Sequence, residues 1–178
     1  MSMDVEESIR ANPLDAVVLL GGCDKTTPAM LMGAASADIP SIFVSGGPAL
    51  KGNWRGQTLG SCTDCRKYYV ELRAGTITRE QYDDMEANIY RSHGHCMTMG
   101  TASTMGCIAE AIGMTLSGGA AIPAVDSRRY SFAEESGIRA VDLAKEQLRP
   151  SKIMTREALL NGIRVLMALG GSTNAVVH

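Results

Sequence analysis

Two short apolar runs limit what this chain can fold into. Asp15-Ala16-Val17-Val18-Leu19-Leu20 is followed by Gly21-Gly22, and Pro40-Ser41-Ile42-Phe43-Val44-Ser45 is followed by Gly46-Gly47-Pro48. Both are too short for a helix of ordinary length and rich in β-branched residues, so each reads as a buried strand. The stretch between them, Pro28 to Ala37, is helical, with Pro28 tolerated in the first turn. Strand, helix and strand within about 30 residues make a βαβ unit with a parallel sheet. Ligands in such folds collect beyond the carboxyl ends of the strands. Both Gly-Gly turns lie there.

The rest of the chain is expected to supply helices around that sheet. Asp4 to Ala11 reads as a helix broken by Pro13, and Lys51 to Cys62 as Gly-rich and irregular. Two polar helices follow, Thr63 to Ala74 and Thr78 to Ser92, the second opened by a Thr78/Gln81 capping box. A polar loop, Gly94 to Gly100, leads into an apolar helix from Thr101 to Met114. Asp126 to Leu148 reads as a long amphipathic helix stopped by Pro150, and Thr155 to Leu169 as another, ended by Gly170-Gly171. Ser172 to Asn174 could cap a further helix, and Met1 to Ser8 reads as helix interior without a cap, so the chain is expected to be a piece of something longer. The fold class is therefore α/β, a mainly parallel sheet flanked by helices in three layers.

Composition narrows the function. The 178 residues carry a formal charge of −2 with both signs mixed along the chain, and no basic patch is interleaved with aromatics, so nucleic acid is excluded as a partner. No apolar run is long enough to span a bilayer, and no signal peptide opens the chain, so a membrane is excluded too. Five cysteines, an odd number in a chain without a secretory signal, suit a cytoplasmic protein with free or metal-bound thiols.

Three segments carry candidate chemistry. Gly21-Gly22-Cys23-Asp24-Lys25-Thr26-Thr27-Pro28 sets a thiol, a carboxylate and an amine at a strand end, just before a helix N-terminus. The helix dipole favours thiolate there; Cys suits a soft iron centre and Asp a hard divalent cation. The alternative is a buried Cys beside a capping Asp and a solvated Lys. His93-Gly94-His95-Cys96-Met97-Thr98-Met99-Gly100 could place a second metal-binding thiol, or be a loop satisfied by Thr101 or Ser103 as helix cap. Cys62-Thr63-Asp64-Cys65 is a C-x-x-C. With His93 or His95, and Cys96, it could hold a structural zinc in a small binding or redox module; it could also be a plain pair of helix-start cysteines. Cys107, inside an apolar helix, reads as core.

Taken together, five blocks carry a resemblance. Gly22-Cys23-Asp24-Lys25-Thr26-Thr27-Pro28, Gly46-Gly47-Pro48, Cys96 to Met105, Ile122-Pro123-Ala124-Val125-Asp126 and Gly170-Gly171-Ser172-Thr173-Asn174-Ala175 resemble the dihydroxy-acid dehydratase and phosphogluconate dehydratase family, in that family's order. The resemblance implies a carbon–oxygen lyase that removes water from a 2,3-dihydroxy acid to give a 2-keto acid. It implies an iron–sulfur cluster, 2Fe-2S in preference to 4Fe-4S, with Cys23 and Cys96 as two of its ligands. It also implies a nearby Mg²⁺ held by Asp24 and by Lys25 in carbamylated form, since an unmodified ammonium would repel the cation.

Family members have a third cluster cysteine and another Mg²⁺ carboxylate ahead of the position of Met1. A further carboxylate and a serine base follow the position of His178. The resemblance thus covers the central part of an N-terminal α/β domain of a larger two-domain enzyme, and the chain alone is expected to be inactive. The parent is expected to be a homo-oligomer, a dimer or tetramer, acting on a small-molecule sugar acid or dihydroxy acid. Gly22 before Cys23 and Ala29 after Pro28 resemble the aldonate branch, that of arabinonate or xylonate dehydratases. His95, Thr98 and Ser172 are the candidates for contacting substrate hydroxyls.

Overall fold

The computed structural model describes residues Met1–His178. Strands β1 (Val17–Gly21) and β2 (Ser41–Ser45) pair in parallel, in a register that sets Val17 against Ser41 and Gly21 against Ser45. Helix α2 (Thr26–Ala37) is the crossover between them. Every residue of β2 is buried. Its outer side begins a further pairing, since the Phe43 N–H donates to Met114 O at 2.7 Å. The period-2 alternation sends Leu19 and Phe43 to one face, where they meet Leu31 and Ala34 of α2 and Ala109 of α5 (Thr101–Ala111). Ile42 points to the other face, against Ala140 and Leu143 of α6 (Arg128–Glu146). These are three layers with the sheet in the middle, as the strand–helix–strand pattern predicts. Phe43 is fully buried, a burial worth roughly 2–3 kcal/mol.

A second, smaller core sits beside this one. Strands β3 (Gly52–Trp54) and β4 (Gln57–Leu59) form an antiparallel hairpin that supports helices α3 (Cys62–Arg73) and α4 (Arg79–Ile89). Trp54, Leu59, Tyr68, Tyr82, Met85 and Ile89 are buried together there. The hairpin corrects the expectation of an irregular stretch from Lys51 to Cys62. Its strands have three residues each, too few for alternation to be legible, and its turn is Arg55-Gly56, both at positive φ (49° and 80°). A non-glycine residue in that conformation gives no sequence signal. The Thr78/Gln81 capping box of α4 is present as expected.

The remaining elements are α1 (Ser2–Arg10), a short α7 (Pro150–Ile153), α8 (Arg156–Leu169) and a 3₁₀ turn (Thr173–Val177). Pro150 does more than stop α6. It opens α7, and Asp38 from the end of α2 accepts both the backbone N–H and the hydroxyl of Ser151, each at 2.9 Å. Those bonds hold the Asp38 carboxyl below its usual range. The helices expected to run to Ser92 and Met114 end earlier, at Ile89 and Ala111. No helix is long and apolar enough to cross a membrane.

Gly47, in the turn after β2, has φ +82°, and a Cβ there would lie 2.6 Å from Ile122 O and 2.7 Å from Arg129 Nη2. Gly56 has almost the same φ, +80°, with nothing within 4 Å of its Cβ position. Gly56→Ala should therefore cost only the left-handed strain, about 1–2 kcal/mol. Gly47→Ala should cost clearly more, because backbone atoms cannot yield. Urea midpoints of the two variants check this; equal losses would show that the turn after β2 can open.

Candidate functional site

Each of the two parallel strands runs out into a glycine pair, and the chain lets go of the sheet there. After Gly21-Gly22, residues Cys23, Asp24 and Lys25 form the turn that enters α2. The Asp24 carboxylate accepts the Lys25 backbone N–H at 2.9 Å and faces the Cys23 thiol at 3.4 Å. After β2, the Gly46-Gly47-Pro48 turn is gripped by the loop from Gly94 to Gly100. His95 N–H donates to Gly47 O and Ala49 N–H to His95 O, both at 2.9 Å, a parallel bridge of Pro48 with His95. The bridge brings Cys96 beside the strand ends although it lies more than 70 residues after Cys23 in the chain.

With the start of α3 and the end of α4 these segments line an open cleft of about 820 Å³, bordered among others by Cys23, Asp24, Cys62, Tyr90, His95 and Cys96. Cys23 and Cys62 are exposed, Cys96 half-buried. The Cys96 sulfur lies 2.7 Å from the Ser61 hydroxyl and 3.0 Å from that of Thr98. Burial pushes its thiol up, but hydrogen bonds from Ser61, from the hydroxyl and backbone N–H of Thr98, and from Tyr90 together hold it below the ordinary cysteine range. His95 Nδ1 is 3.0 Å from Cys96 O, so it must be the protonated ring nitrogen. Nε2 of the neutral ring is then left as an acceptor. His93 Nε2 reaches Ala124 O at 3.3 Å and ties the loop to the segment before α6.

The other sequence candidates lie around this cavity rather than on it. Lys25 Nζ donates to Asn174 Oδ1 at 3.0 Å and lies 3.1 Å from His178 Nε2. Ser172 shares a hydrogen bond with the Thr101 hydroxyl at 2.7 Å and caps the 3₁₀ turn by accepting the Asn174 N–H. Thr98 is committed to the Cys96 sulfur. Asp126 is bound by the Arg128 side chain and backbone, which hold its carboxyl down to about 2. Gly170 to Asn174 dock on the start of α5 through Thr101 and Thr104.

The zinc arrangement is not assembled. Cys65 turns away into the second core, 3.6 Å from the Tyr82 hydroxyl, and pushes that phenol up to about 12 through their hydrogen bond and burial. No three His, Cys, Asp or Glu side chains are gathered closely enough to hold a metal ion. Cys107 is half-buried in α5, and burial with Glu110 pushes its thiol up, which agrees with a packing role. Sequence reasoning missed Ser61 and Tyr90 as parts of the site. They come from the hairpin-and-helix unit, whose position over the strand ends no local pattern announces.

Burial holds the His95 imidazole below its ordinary 6.5; the bond to Cys96 O opposes this, and the Arg129 cation adds to it. As pH falls below about 6.5, the unfolded chain takes up a proton that folded His95 resists, so stability is lost on acidification. His95→Gln should flatten that part of the profile. Urea midpoints between about pH 5 and 7.5 test it, and parallel profiles for both proteins would remove His95 as the cause.

Comparison with known proteins bears on the site as a whole. A family model described as dihydroxy-acid/6-phosphogluconate dehydratase N-terminal matches residues 1–178. The chain is 60% identical to L-arabonate dehydratase of Azospirillum brasilense over 177 residues, 99% of this chain and 30% of that enzyme. It is 48% identical to D-xylonate dehydratase of Caulobacter vibrioides over 97% of this chain and 29% of the relative. Identity to a dihydroxy-acid dehydratase of Caldanaerobacter subterraneus is 44%, over 98% of this chain and 31% of the relative. The chain thus spans about a third of the length of the curated relatives it matches. The matched range takes in both strand-end turns and the cysteine loop, and the chain belongs to the dihydroxy-acid/6-phosphogluconate dehydratase family, matching that family's N-terminal region.

Proposed function

We propose that this chain is part of a hydro-lyase that converts a sugar acid with hydroxyls on C2 and C3 to the 2-keto-3-deoxy acid. The observation that supports this most is the convergence of three thiols (Cys23, Cys62 and Cys96), the Asp24 carboxylate and two imidazoles (His93 and His95) on one cavity at the carboxyl ends of the strands. Residues 1–178 form the central part of an N-terminal α/β domain in this reading, and the chain alone is inactive. The parent is a cytoplasmic homo-oligomer.

The donor set suits an iron–sulfur cluster, 2Fe-2S in preference to 4Fe-4S, as a partial site. Cys23 and Cys96 would hold two of its positions, and the family resemblance assigns the third to a cysteine outside this chain rather than to Cys62, which lines the same cavity. Asp24 offers the hard oxygen that Mg²⁺ requires. Lys25 would join it only after carbamylation turns its amine into an oxygen donor and frees it from Asn174 and His178. When bound, the two centres supply Lewis acidity toward the leaving hydroxyl and the substrate carboxylate.

The chain's own residues orient the substrate. His95 lines the cavity, and with Nδ1 bonded to Cys96 O its Nε2 is the ring nitrogen left to accept a substrate hydroxyl. Ser172 and Thr98 act one step back, since their hydroxyls are bound to Thr101 and Cys96. A site built for hydroxyls rejects an alkyl analogue because its buried polar groups would be left unpaired.

In the full-length parent, purified without oxygen, Cys23→Ser and Cys96→Ser should each lose the visible cluster absorbance and the activity. Cys107→Ser should keep both. Lys25→Arg should abolish turnover in a folded protein, since guanidinium stays positive and cannot be carbamylated. Bleaching by Cys107→Ser with Cys96→Ser intact would reverse the ligand assignment.

Substrate choice is a separate test. The parent should prefer a C5 or C6 aldonate over 2,3-dihydroxyisovalerate by at least about tenfold in kcat/KM, roughly 1.4 kcal/mol. Direct competition of the two acids measures it, and preference for the branched acid would refute the sugar-acid reading while leaving the reaction class standing.

A further inference from the structure

We infer that the Ser61 and Thr98 hydroxyls donate hydrogen bonds to the Cys96 sulfur, and that they weaken its electron donation to the iron it would hold. The Thr98 N–H and Tyr90 bond the same sulfur beside them. The inference rests on the iron–sulfur reading above and goes beyond it, from which residues hold the cluster to what tunes it.

Ser61 carries the argument. It stands at the N-cap of α3, where a serine side chain ordinarily accepts a helix N–H, a bond worth about 1 kcal/mol. Here it makes no such cap bond. Its side chain instead turns to the Cys96 sulfur at 2.7 Å, across 35 residues of sequence. Asp64 of the first turn reaches back past it, its carboxylate accepting the Gly60 N–H and fixing the approach to the helix. Ser61 is 7% exposed, so its hydroxyl has little water to turn to. The local cap preference has been given up for the sulfur.

Thr98 reaches the same sulfur at 3.0 Å from within the loop. Its backbone is held by Ser103, whose hydroxyl donates to Thr98 O at 3.1 Å. The two hydroxyls thus come from independently anchored segments, one on the second core and one on the N-terminal turn of α5. A thiolate has no proton to give, so both hydroxyls must donate once Cys96 is deprotonated. Hydrogen bonds to a cluster sulfur withdraw charge from it and stabilise the more negative oxidation state. They therefore raise the reduction potential, and they leave the iron a stronger Lewis acid. Potential serves as the readout; the reaction itself requires no change in oxidation state.

The test uses the full-length parent with its cluster in place. Ser61→Ala and Thr98→Val should each retain iron and inorganic sulfide at the unaltered protein's ratio. Each should move the midpoint potential to more negative values and shift an Fe–S(Cys) stretching band in the resonance Raman spectrum to higher frequency. The double variant should move both further. Ser61→Thr and Thr98→Ser, which keep a hydroxyl, should return both readouts toward the unaltered protein. Thr101→Val removes a neighbouring hydroxyl that bonds Ser172 and Asn174 but no cysteine, and should leave the potential in place. If either single variant folds with a full cluster and neither potential nor band moves, the inference is overturned and the function stands. An equal shift in Thr101→Val would overturn it as well, by tracing the effect to packing. If the unaltered parent holds no iron or sulfide, the function reading falls first and this inference with it.

Discussion

A single buried cation holds the end of the sheet where the candidate site forms. Arg129, 8% exposed, donates from Nη1 to Ser45 O and from Nη2 to Gly119 O, each at 2.9 Å, and also to Ile122 O. Those carbonyls belong to the last residue of β2 and to the turns that precede α6. Without the guanidinium they would face each other as unpaired acceptors in a desolvated space, at a cost of about 1–3 kcal/mol each. Arginine suits the position because its planar fork reaches several acceptors and keeps its charge. Burial pulls even this guanidinium below its ordinary range, and Asp126 partly restores it.

The cavity follows from that anchoring. With the end of β2 fixed, the Gly46-Gly47-Pro48 turn has one path, and the His95 bridge can form along it. Cys96 then meets the Cys23-Asp24 turn because parallel strands in register end side by side. In a parallel sheet both chain exits lie at the same edge, so residues far apart in sequence meet without any local signal. Burial, with the Arg129 cation adding to it, holds the His95 imidazole below its ordinary range, which favours the neutral ring and its acceptor nitrogen.

The second core has a different part. The hairpin and helices α3 and α4 bury six side chains of their own and stand over the strand ends. They contribute Ser61, Cys62 and Tyr90 to the site and enclose the half-buried sulfur of Cys96. This unit's apolar residues therefore serve to position two hydroxyls and a thiol.

Sequence by itself determined the βαβ unit, the layers on both faces of the sheet, and the convergence of the two glycine turns. The apolar runs admit one burial pattern, and glycine at a strand exit has a local steric reason. It also determined the Thr78/Gln81 cap and the family, since ordered blocks survive without coordinates. Tertiary structure alone decided the Arg55-Gly56 hairpin, the turn of Ser61 away from its helix toward Cys96, the withdrawal of Cys65 into an apolar core, and the hold of Asn174 on Lys25. The hairpin is local but its three-residue strands are too short to read; the other three are choices between partners that are equal in kind and distant along the chain. Local propensity is nearly degenerate among them; the burial of each group, and the hydrogen bonds left within reach once it is buried, break the degeneracy.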